Sequence, residues 1–78
     1  MLDDNKFVVG SKQTMRMLEE NCISEVYIAR DADFYVTRQV EEIARAANVA
    51  IIYLDSMKKL GKRFGLNVGA AVAGVIKQ

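Results

Sequence analysis

Glu25–Leu54 reads EVYIARDADFYVTRQVEEIARAANVAIIYL. Its start holds an unbroken apolar centre, Val26-Tyr27-Ile28-Ala29, the composition of a strand covered on both faces. Asp31-Ala32-Asp33 breaks that run, and Asp33 is placed to cap a helix. Within that helix Val36, Val40, Ile43, Ala44 and Ala47 fall at i, i+4, i+7, i+8 and i+11, one apolar stripe. The opposite face carries Arg38, Glu41, Glu42 and Arg45. Asn48 suits the left-handed conformation that ends a helix. Ala50-Ile51-Ile52-Tyr53-Leu54 is again a buried strand. Strand, long helix, strand is a crossover unit, and it predicts two parallel strands in one sheet.

Both flanks continue the alternation. Upstream, Phe7-Val8-Val9 is a short strand stopped by Gly10. Ser11 then offers an N-cap oxygen, Met15, Leu18 and Cys22 form an apolar stripe, and Asn21 ends the helix. Downstream, Asp55-Ser56 caps a short helix with Met57, Leu60 and Phe64 inward, and Gly65 ends it. Leu66–Gly69 is a tight loop, and Ala70–Ile76, small or apolar throughout, is a central strand. The pattern predicts a single domain over residues 1–78, an α/β fold with a three-layer α/β/α sandwich. The third helix is too short for a full crossover. The last strand is therefore expected to return from the same rim, antiparallel and internal, in a four-stranded mixed sheet.

Composition narrows the function. A chain of 78 residues buries only roughly 60–65% of its unfolded surface, so a deep two-lobed cleft is not expected. It has no histidine, the commonest general base and metal ligand. One cysteine permits neither an intramolecular disulfide nor a Cys-rich zinc site. No apolar run approaches the roughly 20 residues that cross a bilayer. The acidic start, Met1-Leu2-Asp3-Asp4-Asn5, does not read as a signal peptide. A cytoplasmic protein is expected, with no cofactor, no metal and no membrane partner, and with Cys22 reduced.

The net charge of +1 conceals an asymmetry. Residues 1–55 carry all ten acids and six bases, a balance of −4, whereas residues 56–78 carry five bases and no acid. Lys58, Lys59, Lys62 and Arg63 thus make a basic patch on a near-neutral domain, which suits a polyanion. Composition alone still favours a plainer account, a solvated helix face. If the first three strands are parallel, Gly10–Thr14, Arg30–Asp33 and Asp55–Lys59 begin at one rim, the usual binding edge of an open α/β sheet. Gly10-Ser11-Lys12-Gln13-Thr14 opens a helix there, and its N–H groups with Lys12 could hold phosphate. The spacing is not that of a P-loop, and taken alone it favours an ordinary capped helix. Lys12 does oppose the helix dipole, a penalty that folding leaves unexplained. Leu66-Asn67-Val68 puts apolar side chains in a loop, either a platform for an unstacked base or a loop tucked onto the core. Ser56-Met57-Lys58-Lys59 matches the Ser-x-x-Lys of acyl-serine enzymes, but no partner motif accompanies it. Asp31 and Asp33 read as caps rather than metal ligands, and Tyr27 and Tyr53 as packing residues.

Four of these segments, taken in order, resemble one family. They are Gly-Ser-Lys-Gln-Thr at 10–14, Val-Tyr-Ile-Ala-Arg-Asp-Ala-Asp at 26–33, Asp-Ser-Met-Lys-Lys-Leu-Gly at 55–61 and Gly-Leu-Asn-Val-Gly-Ala-Ala at 65–71. Together they resemble the kink-turn RNA-binding family, which includes archaeal and eukaryotic large-subunit ribosomal proteins and small bacterial homologues. The resemblance spans roughly residues 7 to 76 and is strongest to the bacterial members. It implies an α/β/α sandwich whose last strand is antiparallel and internal. It also implies a non-enzymatic, ribosomal or ribosome-associated, monomeric RNA-binding protein that stabilises kink-turns. By this resemblance, Gly10, Ser11, Lys12, Gln13 and Arg16 enter the major groove at tandem sheared G·A pairs. Leu66, Asn67 and Val68 cover flipped-out nucleotides, and Lys58, Lys59 and Lys62 lie on the basic helix nearby. Archaeal members typically carry Asn-Glu where Lys12-Gln13 stand, and Phe34 replaces a common proline. The rival reading is an adaptor of the same fold that uses its apolar rim for a protein partner.

Overall fold

Val72–Ile76 (β4), the last strand, lies inside the sheet, between the first strand and the second. It pairs antiparallel with Phe7–Val9 (β1) on one side and with Ile23–Ala29 (β2) on the other. Ala50–Leu54 (β3) pairs parallel with β2 and forms the second edge, giving the order β1-β4-β2-β3. This is the mixed sheet the short third helix calls for. The computed structural model describes residues 6–77, so the acidic start Met1–Asn5 lies outside the described residues.

Three helices cover the two faces. Ser11–Glu19 (α1) and Phe34–Ala46 (α2) pack against each other on one face, and Met57–Arg63 (α3) lies on the other. The period-two alternation of β2 sorts its side chains between them. Val26 and Ile28 join Leu18, Val40, Ala44 and Val72 beneath α1 and α2. Tyr27 and Ala29 join Leu60, Ala70 and Ala73 on the α3 side. All four central β2 residues are buried, as their unbroken apolar run requires. Fully burying a side chain such as Val26, Val40 or Leu60 stabilises the fold by about 1.5–3 kcal/mol.

Several boundaries depart from the sequence reading. β2 starts at Ile23, two residues before the predicted Glu25, because a register shift between Ile23 and Glu25 keeps the earlier residues paired with β4. β4 starts at Val72 rather than Ala70, since Ala70 and Ala71 bond to Met57 and to the end of β2 instead of extending the ladder. Ser11 does not cap α1. Gly10 occupies the cap position at φ 109 and ψ 146, and no side chain caps that end. Asn21 and Asn48 do take the left-handed conformation, at φ 60 and 59, as their places at helix ends require. Met57, expected inward, is 37% exposed, while Leu60 is buried and Phe64 half-buried.

Candidate nucleic-acid interface

The carboxyl ends of β1, β2 and β3 meet the start of β4 along one rim, stitched by backbone hydrogen bonds. The Gly10 N–H donates to the Val72 carbonyl at 2.9 Å. The Ala29 N–H donates to the Ala71 carbonyl and the Arg30 N–H to the Leu54 carbonyl, both at 2.9 Å. The Ala70 N–H reaches the Met57 carbonyl at 3.0 Å. Asp31 Oδ1 accepts from the Met57 N–H at 2.8 Å, tying the β2–α2 turn to the start of α3. The rim therefore gathers Gly10–Gln13, Arg30–Asp33, the start of α3 and the loop that leads into β4.

The three helix starts at this rim are unequal. Asp33 accepts from the Tyr35 N–H at 2.9 Å and caps α2. Ser56 Oγ accepts from the Lys59 N–H at 3.1 Å and caps α3. α1 has no side-chain cap and no acid in its first turn. An α-helix leaves its first four N–H groups without intrahelical partners. At α1 the Gly10 N–H is taken by Val72, which leaves those of Ser11, Lys12 and Gln13 at the positive end of the helix dipole. Lys12, Gln13 and Arg16 are exposed, and Ser11 is half-buried. A backbone nest with a lysine beside it can hold an anionic oxygen and present donors to a base edge. Gly10 makes the abrupt strand-to-helix step possible, since its φ of 109 is one that L side chains rarely adopt. Buried Thr14 faces the sheet, where its Cγ2 would meet a Cβ at Gly74 at 3.1 Å. The glycine in β4 therefore lets α1 settle close to the strand.

The apolar loop divides. Leu66 is half-buried against the cluster around Tyr27 and Leu60, and its N–H bonds the Gly61 carbonyl at 2.8 Å. Asn67 is exposed, and Val68 is 70% exposed, an apolar tip in water. The loop is held against α3 so closely that a Cβ at Gly61 would lie 2.1 Å from the Val68 carbonyl oxygen. Of the three predicted platform residues, only Val68 is an exposed apolar side chain, and Leu66 is part of the support beneath it.

The basic helix is also sorted. Lys58, Lys59 and Lys62 are exposed on α3, with Lys59 paired to Asp55 at 3.2 Å. Arg63 belongs elsewhere: its guanidinium lies over the Tyr27 ring, 5.5 Å from the centroid. Arg30 sits at the rim, 5.0 Å over the ring of Tyr53. The Tyr53 hydroxyl donates to Glu41, and that bond, with partial burial, holds the phenol above its usual pKa. Sequence reasoning missed two rim features, the Asp31 bond to α3 and the exposed Phe34 and Tyr35 beside it. The first joins segments 26 residues apart and leaves no local pattern.

One edge of this α/β/α slab brings together an uncapped helix start carrying Lys12, the exposed apolar tip at Val68 and the basic helix α3. The chain belongs to the ribosomal protein L7Ae/L30e/S12e/Gadd45 family, whose sequence model matches residues 1–78. It is 49% identical over 70 residues to an RNA-binding protein of Halalkalibacterium halodurans, covering 90% of this chain and 85% of the relative. It is 43% identical over 77 residues to the RNA-binding protein YbxF of Geobacillus stearothermophilus, covering 99% of this chain and 94% of that one. The solved Giardia lamblia 15.5kD RNA binding protein superposes with a TM-score of 0.86 at 20% identity, covering 92% of this chain and 61% of its own. That last likeness is one of fold.

Proposed function

We propose that this protein binds RNA and recognises kink-turns, without catalysing a reaction, as a monomer in the cytoplasm and in association with the ribosome. The observation that carries the reading is the contrast at the rim: α2 and α3 are capped by side chains, whereas α1 is left open with Lys12 in its first turn. A cation placed against the helix dipole costs a few tenths of a kcal/mol, so the fold gains nothing from it. An RNA phosphate or guanine edge would offset that cost. The RNA-binding names of close relatives support the same reading.

The resemblance to kink-turn binders supplies the mechanism in this reading. A sharp RNA bend crowds the phosphates of two stems. Ser11, Lys12, Gln13 and Arg16 enter the groove at the sheared G·A pairs, while Lys58, Lys59 and Lys62 lower the repulsion between stems. Asn67 and Val68, on the Leu66 support, cover a base that has left the stack. These contacts exist only in the bent form, so the protein shifts the RNA population toward it.

The test is a titration of two RNAs, one with a kink-turn and one lacking its sheared G·A pairs. The first should bind at least about tenfold tighter, since a good base contact is worth about 1–3 kcal/mol. Lys12→Ala should remove a similar amount from the kink-turn complex alone. Equal weak binding to both RNAs overturns the reading.

A further inference from the structure

The α3 layer is shorter than the sheet it covers. Seven residues of helix span about 10 Å, whereas the seven residues of β2 span about 23 Å. α3 therefore shields the rim half of this face and stops short of the other end. There Phe7, Val75 and Glu25 stand side by side across β1, β4 and β2, as the pairs Phe7–Val75 and Glu25–Val75 require. Phe64 and Arg63, at the end of α3, overhang them. Together with Tyr27 these residues line a cavity of about 390 Å³. It lies at the opposite end of the strands from the α1 rim.

The lining is chemically specific. Phe64 packs on Phe7 at 4.8 Å between centroids and meets Tyr27 edge-on at 5.2 Å, so one wall is aromatic. On the other side Arg63 donates to the Tyr27 hydroxyl at 3.3 Å, and that hydroxyl donates to Glu25 at 3.0 Å. Among the described residues, Glu25 and Arg63 form no direct ion pair. The phenol stands between them, leaving carboxylate acceptors and guanidinium donors free a short distance apart. Small-molecule sites of this volume typically combine apolar walls with a few convergent polar groups.

We propose that this cavity binds a guanine base. Guanine presents an aromatic face for the Phe7 and Phe64 rings, its N1–H and amino group as donors for Glu25, and O6 and N7 as acceptors for Arg63. Adenine lacks the N1 proton and the 2-amino group and carries an amino group in place of O6, so it loses the donor pair for Glu25 and one of the two acceptors for Arg63. Pyrimidines offer less stacking surface. The site is independent of the kink-turn reading, because none of its residues lies in the proposed RNA interface. The base can come from a free nucleotide or from an unpaired guanosine in RNA.

The experiment is an amide NMR titration of the ¹⁵N-labelled full chain with GMP, AMP and a single-stranded, guanine-containing tetranucleotide. GMP should shift the amides of Phe7, Glu25, Tyr27 and Phe64, and AMP should leave them unmoved. A tighter tetranucleotide marks RNA as the source, and a tighter GMP marks the free nucleotide. Glu25→Gln should weaken GMP binding about tenfold, as loss of a charge-assisted hydrogen bond does. Its kink-turn affinity should be unchanged, with the dispersed amide spectrum reporting that the variant is folded. Arg63→Gln should weaken GMP similarly. Equal shifts from GMP and AMP, shifts confined to Lys12–Arg16, no shift with GMP or the tetranucleotide, or an unchanged Glu25→Gln affinity each overturn the proposal. Failure of kink-turn binding with the GMP result intact would overturn only the earlier reading.

Discussion

Gly61 shows how a single position couples stability to the candidate site. It lies in α3, where alanine is worth about 1 kcal/mol more than glycine by helix propensity. Yet a Cβ there would come within 2.1 Å of the Val68 carbonyl oxygen, which is backbone and cannot swing away. Forced overpacking costs about 1–3 kcal/mol, so the overlap should outweigh the propensity gain. Gly61→Ala should therefore lower stability in urea by up to about 2 kcal/mol and weaken kink-turn binding by displacing Val68. A variant as stable as the wild type would show that the loop yields freely. No reading of periodicity finds this constraint, since Gly61 looks like one more small residue in a turn-rich stretch. The same holds for Leu66, whose apolar character suits a platform as well as a support; only its burial separates the two.

The helices and strands themselves were largely legible. The stripe in α2 predicts its buried side, where Val40 and Ala44 are fully covered, and Asp33 caps it as expected. α1 differs, since Ser11 resembles a cap in sequence but Gly10 takes that place. Two aspartates two residues apart serve different helices: Asp33 holds α2, and Asp31 holds the start of α3. Loss of such a cap costs about 0.5–2 kcal/mol. Asp31→Ala should reduce hydrogen-exchange protection in α3 while α2 is unaffected, and Asp33→Ala should do the reverse. Equal loss in both helices would mean that the two turns melt as one unit. With α3 loosened, Lys58 and Lys62 lose their fixed place, so Asp31→Ala should also weaken RNA binding more than Asp33→Ala does.

The protein sets Lys12, at the start of α1, and Lys58 and Lys59, at the start of α3, on one rim of a molecule whose net charge is only +1. Binding should be strongly salt-dependent, and Lys58→Ala should reduce the slope of log affinity against log salt by about one unit. An unchanged slope would remove Lys58 from the phosphate contacts. Local chemistry was enough to read the alternation of strands and helices, the buried run of β2, the helix ends at Asn21 and Asn48, and a short third helix that turns β4 antiparallel. Each of these follows from side-chain period, backbone preference or chain length, and all three act between near neighbours. The hydrogen bonds that lock the rim, from Met57 to Asp31 and from Gly10 to Val72, the inward turn of Leu66 and the diversion of Arg63 to Tyr27 arose only on folding. They depend on contacts between segments far apart in the chain, whose partners are chosen by how three layers pack.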